Sequence, residues 1–373
     1  MSDKGSIGLG LSKRQPLLKD KSTRGDDQSL LPKAIKTHPR GSEGDENANV
    51  YFIGTATTII EWEGFRLLTD PNFLHAGDHV HLGPGVTAQR QTNPAVDLHE
   101  LPSLDAILLS HYHEDHFDRL VEDSLNRDFL IVTTPHAHKC LTSKNEPFRN
   151  VKPLDFFDHL ELKNEDSKAG EPLPVIKVTG MPGKHVPPGP LAAVNDLLGA
   201  VPPTNGWMLE LGYHKVENGK LQTGYRIYIS GDTLLVDELK EIPKWLREER
   251  IDLMLIHLGG TTIPGPSAPL DLFLCLCPCR SHDLCRGLCR DLDLDRQPHQ
   301  YPGLGLSRGR DLFPGLSPGL FPGPFLDLFH GLYPYPYHGR VVCHGHVLAP
   351  ESFHRGNHAK DCGLASSVKV TGL

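Results

Sequence analysis

The stretch that most constrains this chain is "DAILLSHYHEDHFDRL", residues 105–120. An apolar run of strand length ends on Ser110, and His111, His113, Asp115 and His116 follow within six positions. In an extended segment side chains at i and i+2 share a face, so His111 and His113 can reach one metal ion. As the chain then turns toward a helix beginning near Asp118, Asp115 and His116 can swing toward a second. The alternative is a polar loop carrying surface histidines. The fold must therefore present the end of a buried strand, not its middle, to a polar cleft.

The surroundings repeat that logic. "VYFIG" (50–54), "TTIIEW" (57–62) and "FRLLTD" (65–70) alternate or run apolar between turn residues, with Glu63-Gly64 at the second turn, and predict a three-strand meander. Further strands are expected at 105–110, 129–134, 174–180, 207–213, 225–230 and 251–258, and helices at 118–126, 136–144 and 234–249. Many strands with interspersed helices imply an α/β layered domain over 48–270, and no linker-like break divides it.

Two flanking zones read differently. Residues 1–47 are rich in Lys, Ser, Gly and Asp, with almost no apolar period, and are expected to be a disordered leader. Residues 271–373 are near-repeats of Leu, Pro, Gly, Asp and Phe in which no helical or strand period persists. That zone is a genuine low-complexity tail, or the translation of a wrong frame or unspliced intron after "TTIPGPSAPL". Before it the sole cysteine is Cys140; Cys275, Cys277, Cys279, Cys285 and Cys289 crowd its start in a spacing that fits neither paired CxxC nor a zinc ribbon.

"SHYHEDHFD" resembles the signature of metallo-β-lactamase-fold hydrolases. Residues 48–262 resemble the branch that contains ascorbate-6-phosphate lactonase and N-acyl-phosphatidylethanolamine-hydrolysing phospholipase D. The resemblance implies an αββα sandwich with a dinuclear site, commonly zinc with manganese an option, here short of its C-terminal end. It implies residue roles too. Asp70 in "LLTDP" would brace the histidine loop by hydrogen bonding without touching the metal. His185 in "GMPGKHVPPG" would be the third histidine of the first ion, and Asp232 in "YISGDT" the acid bridging both. The first ion would then take His111, His113, His185 and Asp232, and the second Asp115, His116 and Asp232. The family's last histidine follows one further strand–helix–strand passage, which here runs into the anomalous zone. His257 comes too early for it and is read as lining the site edge or as core. His282, His299, His330, His344 and His346 are available by composition alone.

The implied chemistry is hydrolysis of an ester, lactone or phosphodiester by a metal-held hydroxide, with Asp115 or Asp232 accepting the proton. No GxSxG or Walker-type loop competes. The alternatives are a metal-binding but catalytically impaired member lacking the last histidine, and a nuclease of the same fold. The net charge of −8 and the absence of a basic stripe argue against a nucleic-acid partner. No stretch approaches the roughly 18 apolar residues of a membrane span, so a cytoplasmic protein acting on a small molecule or a phospholipid is expected, with peripheral membrane association left open. Two segments bear on substrate. The insertion 72–94 carries His75, His79, His81 and Arg90 in a long loop that could overhang the site. Arg90 there is either an anion-orienting group or a solvated charge. The Pro-rich 185–207 is either a pocket wall for an aliphatic group or ordinary lid packing.

Overall fold

The computed structural model describes residues 2–20, 31, 36–37, 47–83, 86–168, 170–186, 195, 201–247 and 249–257, together with the backbone of four short strands further on. In chain order the strands are β1 (Asp3–Leu9), β2 (Lys36–Thr37), β3 (Ala48–Gly54), β4 (Thr57–Trp62), β5 (Phe65–Thr69), β6 (His79–Gly83), β7 (Val86–Gln89), β8 (Ala106–Leu109), β9 (Ile131–Thr133) and β10 (Val151–Pro153). They continue as β11 (His159–Asn164), β12 (Leu173–Pro182), β13 (Asn205–His214), β14 (Leu221–Ile229), β15 (Leu253–His257), β16 (Thr262–Pro264), β17 (Pro269–Asp271), β18 (Arg340–His344) and β19 (Ser366–Val370). Three α-helices are described: α1 (Arg119–Ser124), α2 (Pro135–Thr142) and α3 (Glu241–Leu246).

Two large sheets result, ordered β1-β11-β12-β13-β14-β15-β18 and β10-β9-β8-β5-β4-β3-β19-β2. Their side chains divide by the two-residue period of a strand. Ile60, Trp62, Phe65, Leu67, Ala106 and Leu108 of one sheet share a buried cluster with Ile176, Val178, Trp207, Leu209, Ile227 and Leu253 of the other. The alternate residues Tyr51, Ile53, Ile59, Leu68, Ile107 and Leu109 face outward onto Val121, Leu125, Ala137 and Leu141 of the α1–α2 side. Met181, Met208, Tyr228 and Ile256 likewise meet Ile242 and Leu246 of α3. Helix, sheet, sheet, helix is the αββα sandwich expected, and burial on both faces explains why the central strands read as nearly unbroken apolar runs. The Glu63-Gly64 turn holds because both residues take positive φ, 46° and 82°, the pairing a tight hairpin needs.

Strand direction, more than strand order, sets where a site can form. β5, β8, β9 and β10 run parallel, with α1 and α2 as crossovers. In the other sheet β12 and β14 are each antiparallel to β13, and β14 is parallel to β15. The carboxyl ends of β5 and β8 lead to Asp70 and His111, and those of β12, β14 and β15 to His185, Asp232 and His257. Such strand ends are where open α/β sheets leave a crevice.

Three expectations change. Residues 2–20 are not a disordered leader. β1 pairs in parallel with β11, Ser2 donates to Asp158, Arg14 bridges to Asp105, and Leu17 and Leu18 are buried. An edge strand held through backbone bonds needs no apolar period, which is why "DKGSIGL" gave no signal. The insertion 72–94 is not one long loop but holds the β6–β7 hairpin. In the tail, β18 pairs with β15 and β19 with β3 through their backbones, so short strands exist where no period was legible. The cysteine cluster, most of 185–207 and the rest of 271–373 lie outside the described residues.

Candidate metal centre

The histidine loop is fixed before any ion is considered. Asp118 caps α1, its Oδ1 accepting from Val121 N at 2.8 Å, while its Oδ2 accepts from Phe73 N. Asn72 Nδ2 donates to the Asp115 carbonyl at 2.9 Å. Thr57 Oγ1 donates to the carbonyl of Asp70 at 2.7 Å. The segment 70–73 is thus a bracket under the loop, and Phe117 N closes the turn onto the His113 carbonyl at 2.8 Å.

On that bracket the side chains converge. His111 Nδ1 meets Ser110 Oγ at 2.9 Å, and its Nε2 is buried with no hydrogen-bond partner. His113 Nδ1 donates to Asp115 Oδ1 at 2.7 Å, which leaves its Nε2 buried and unpartnered too. His185 Nδ1 is in the same condition. Asp232 lies among three imidazoles: its Oδ2 is 3.1 Å from His116 Nε2 and 3.7 Å from His185 Nε2, and its Oδ1 is 3.6 Å from His257 Nδ1. Donor atoms of His111, His185 and Asp232 lie within 4.8 Å of one another, and so do those of Asp115, His116 and Asp232 and of His111, His113 and Asp115. His111, His185 and Asp232 of the first expected set and all three residues of the second therefore come together, with Asp232 common to both, while His113 groups with His111 and Asp115 rather than with His185 and Asp232. His257, read as site edge or core, is in the cluster itself, grouped with Asp70 and His116. Arg90 is half-buried beside the loop.

Buried imidazole nitrogens without partners are costly unless something accepts their lone pairs. Two such nitrogens, His111 Nε2 and His113 Nε2, together with His185 Nε2 facing Asp232 and with two carboxylates among them, are the donor set of a borderline-soft divalent ion such as zinc, so the residues fit that group.

Electrostatics agree with the geometry. Burial depresses the pKa of His111 well below the ordinary imidazole value, and the His116 cation adds to this, so His111 stays neutral. Burial likewise lowers His185. For His116 burial opposes the cation, but Asp232 and Asp115 outweigh it and raise the pKa well above the ordinary value. The same attraction overcomes burial at Asp232 and Asp115 and holds both carboxyls well below their usual range.

Asp70 separates the two ends of His116. Its Oδ1 accepts from Ser110 N at 2.7 Å, and its Oδ2 lies 3.4 Å from His116 Nδ1, on the ring edge opposite the nitrogen facing Asp232. An acid on Nδ1 fixes the tautomer that presents Nε2 to an ion. Asp70→Asn keeps the acceptor for Ser110 and the tolerance of positive φ (34°), yet turns the other position into a donor. It is expected to weaken zinc binding about 10- to 100-fold in a competition titration against a chelator, with an unchanged circular dichroism spectrum. Wild-type affinity in that variant would remove Asp70 from this role.

Sequence reasoning missed Asn72, Ser110 and Thr204, whose Oγ1 is 3.5 Å from His111 Nδ1. Asn72 and Thr204 act only through distant contacts, and Ser110 acts on its neighbour His111 as well as on Asp70, but each is an ordinary polar residue with no distinguishing local signal.

A model of the Beta-lactamase superfamily domain matches residues 65–267. Uncharacterized proteins of Mycobacterium bovis and Mycobacterium tuberculosis are 39% identical over 140 residues, 36% of this chain and 33% of theirs. The mitochondrial N-acyl-phosphatidylethanolamine-hydrolyzing phospholipase D of Saccharomyces cerevisiae is 30% identical over 162 residues, 43% of this chain and 31% of the relative. The matches thus span about a third of the length of these curated relatives. Among solved structures, the isothiocyanate hydrolase from Delia radicum gut bacteria is similar with a TM-score of 0.43 and 18% identity, over 66% of this chain and 80% of that one. No helix among the described residues is long and apolar enough to cross a membrane.

Proposed function

Because the chain belongs to the beta-lactamase superfamily, we propose that it is a metal-dependent hydrolase of an ester, lactone or phosphodiester. In this reading His111, His185 and Asp232, joined by His113, which groups with His111, hold one divalent ion, and Asp115, His116 and Asp232 a second. The observation that carries it is the pair of buried nitrogens His111 Nε2 and His113 Nε2, without a hydrogen-bond partner among the described residues, beside the contact of His185 Nε2 with Asp232. Zinc or manganese bound there supplies a water activated near neutral pH and a counter-charge for the scissile oxygen. The protein's own groups do the rest. Neutral His111 and His185 present lone pairs. Asp70 orients His116, and Asp232 and Asp115, kept ionised, are positioned to take the proton released by the attacking water. The long polar bracket under the loop means that these groups need not reorganise as charge develops. A small molecule is the substrate class favoured, and the phosphodiester option draws on the likeness to the yeast phospholipase D.

The test is metal analysis of the full chain together with turnover of p-nitrophenyl esters and bis(p-nitrophenyl) phosphate. About two divalent ions per chain are expected, with turnover abolished by dialysis against a chelator and restored by zinc or manganese. Turnover that survives complete metal removal would sink the proposal. Ions retained without turnover would favour the catalytically impaired alternative.

The same preparation reports on His116. Its pKa in the metal-free protein is raised, so the ring is protonated at neutral pH and must lose that proton to bind an ion. Affinity should therefore fall as pH drops below the raised pKa and level off above it. Calorimetry at pH 7 in buffers of different ionisation enthalpy is expected to show net proton release, to which His113 also contributes because, against the opposing effect of burial, Asp115 raises its pKa. Equal heats in all buffers would contradict it.

A further inference from the structure

We propose that Arg90 is the anion-recognition residue of this site, its Nε–Nη2 edge receiving two oxygens of a carboxylate or phosphate group on the substrate. The proposal rests on the hydrolase reading for the word substrate; the anion site itself rests on geometry.

The position of Arg90 is fixed. It follows β7 directly, with its N–H donating to the Asp78 carbonyl at 2.8 Å and its own carbonyl accepting from Gly77 N at 2.9 Å. The hairpin it closes is registered on the metal loop through His81 N, which donates to Glu114 Oε2 at 2.6 Å. The hairpin therefore moves with the histidine motif.

The guanidinium on this fixed backbone is half-buried, and its Nε and Nη2 are both buried without a hydrogen-bond partner. These two nitrogens are not an arbitrary pair. They carry the N–H bonds along one edge of the planar group, parallel and spaced to meet the two oxygens of one carboxylate or phosphate. Other described arginines meet this need from within, except that Arg127 also has an unpartnered Nε while its Nη1 and Nη2 are engaged by Glu122 and Glu146. Arg14, Arg66, Arg149 and Arg250 each place Nε on a carboxylate, at 2.8, 2.7, 2.5 and 2.8 Å. Arg90 does not.

Three carboxylates bear on it electrostatically, those of Asp118, Asp115 and Asp78, while burial works against its charge. None of them closes the edge. Asp118 spends its oxygens on Phe73 N and Val121 N, and Asp78 Oδ2 accepts from His75 N. Asp115 Oδ1 is taken by His113, and its Oδ2 looks toward His116 at 3.9 Å. The charge of Arg90 thus interacts with that of Asp115, a proposed ion ligand, while its two-donor edge is left open. An open edge of that kind is expensive in a bare protein and is satisfied when a ligand brings the oxygens. This favours the anion-orienting reading of Arg90 over a solvated charge. It also narrows the substrate class to molecules carrying an anionic group.

The experiment is calorimetric titration of the metal-loaded full chain with inorganic phosphate and, separately, with acetate, in the wild type, Arg90→Gln and Arg90→Lys. Arg90→Gln is expected to weaken binding of the preferred anion about 10- to 100-fold. Arg90→Lys, which keeps the charge but not the edge, should recover only a small part. The probe that loses affinity identifies phosphate or carboxylate as the group recognised. Binding within twofold of wild type in Arg90→Gln for both probes overturns the proposal, as does a wild type that binds neither. Loss of metal from Arg90→Gln would make the residue a prop for the loop and also overturns it. A second measurement needs no variant: phosphate or acetate should slow phenylglyoxal modification of Arg90, mapped by mass spectrometry, but not that of Arg149 or Arg250. Absence of protection counts against the site. A chain that cleaves no ester, yet loses anion affinity in Arg90→Gln, would keep this site and sink the hydrolase reading alone.

Discussion

Asp232→Asn is expected to reduce the ion content from about two per chain to one or fewer and to lower kcat/KM about a thousandfold or more, roughly 4 kcal/mol of transition-state stabilisation. The exchange is isosteric, so the fold should survive it. What changes is charge and lone-pair count at the one carboxylate that lies in contact range of His116, His185 and His257. The neutral amide has a single acceptor oxygen and cannot serve two ions. It also withdraws the charge that stabilises the His116 cation, whose pKa should fall toward the ordinary value. Inductively coupled plasma mass spectrometry and steady-state kinetics on the same preparation read both effects. Two ions with activity within tenfold of wild type would mean that Asp232 bridges nothing.

Gly231→Ala, one residue earlier, should act through the backbone. Gly231 has φ +58°, and a Cβ there would lie 2.4 Å from the Asn205 carbonyl oxygen and 3.2 Å from Ser110 Cβ. Neither neighbour can yield easily. Asn205 N is bonded to the Ser110 carbonyl at 3.0 Å, and its side chain donates to the Leu154 carbonyl at 2.8 Å. The left-handed backbone costs alanine about 1–2 kcal/mol, and the collision adds to it. A total of about 2–4 kcal/mol corresponds to a Tm lower by roughly 10 °C in a domain of this size. Relief of the collision must move either Asp232 or the start of the histidine loop, so ion content should fall with Tm. Differential scanning fluorimetry with metal analysis checks this; a wild-type Tm and a full ion complement would show that the turn has room the geometry denies it.

Legibility in the sequence depends on where the information resides. The candidate ligand residues were readable because their chemistry is in the side chain and their spacing in the chain: His111, His113, Asp115 and His116 follow one buried strand, and His185 and Asp232 follow two others. The meander 48–69 was readable because each strand is apolar on both faces and its turn residues stand out. β10 and β11 were not, since "VKP" and "HLELKN" are short and charged and owe their pairing to neighbours already in place. The β6–β7 hairpin hid among His and Gly residues that give no strand period. That the missing Cβ of Gly231 is what lets Asn205 lie against Ser110 is visible only in three dimensions. Arg90 showed its charge in the sequence, but whether that charge was solvated or confined depended on a hairpin that no pattern announced.

The donors come from both sheets, and this has a meaning for how the protein is made. A ribosome that has released His111 to His116 has finished the most metal-like part of the chain, yet His185, Asp232 and His257 are still to be synthesised. The early histidines have one another and Asp115 but not the acid proposed to bridge, which arrives with the opposite half of the sandwich. Full coordination therefore comes after the docking of the two halves. An ion held by every donor certifies that assembly has finished, and a half-made chain cannot counterfeit the signal.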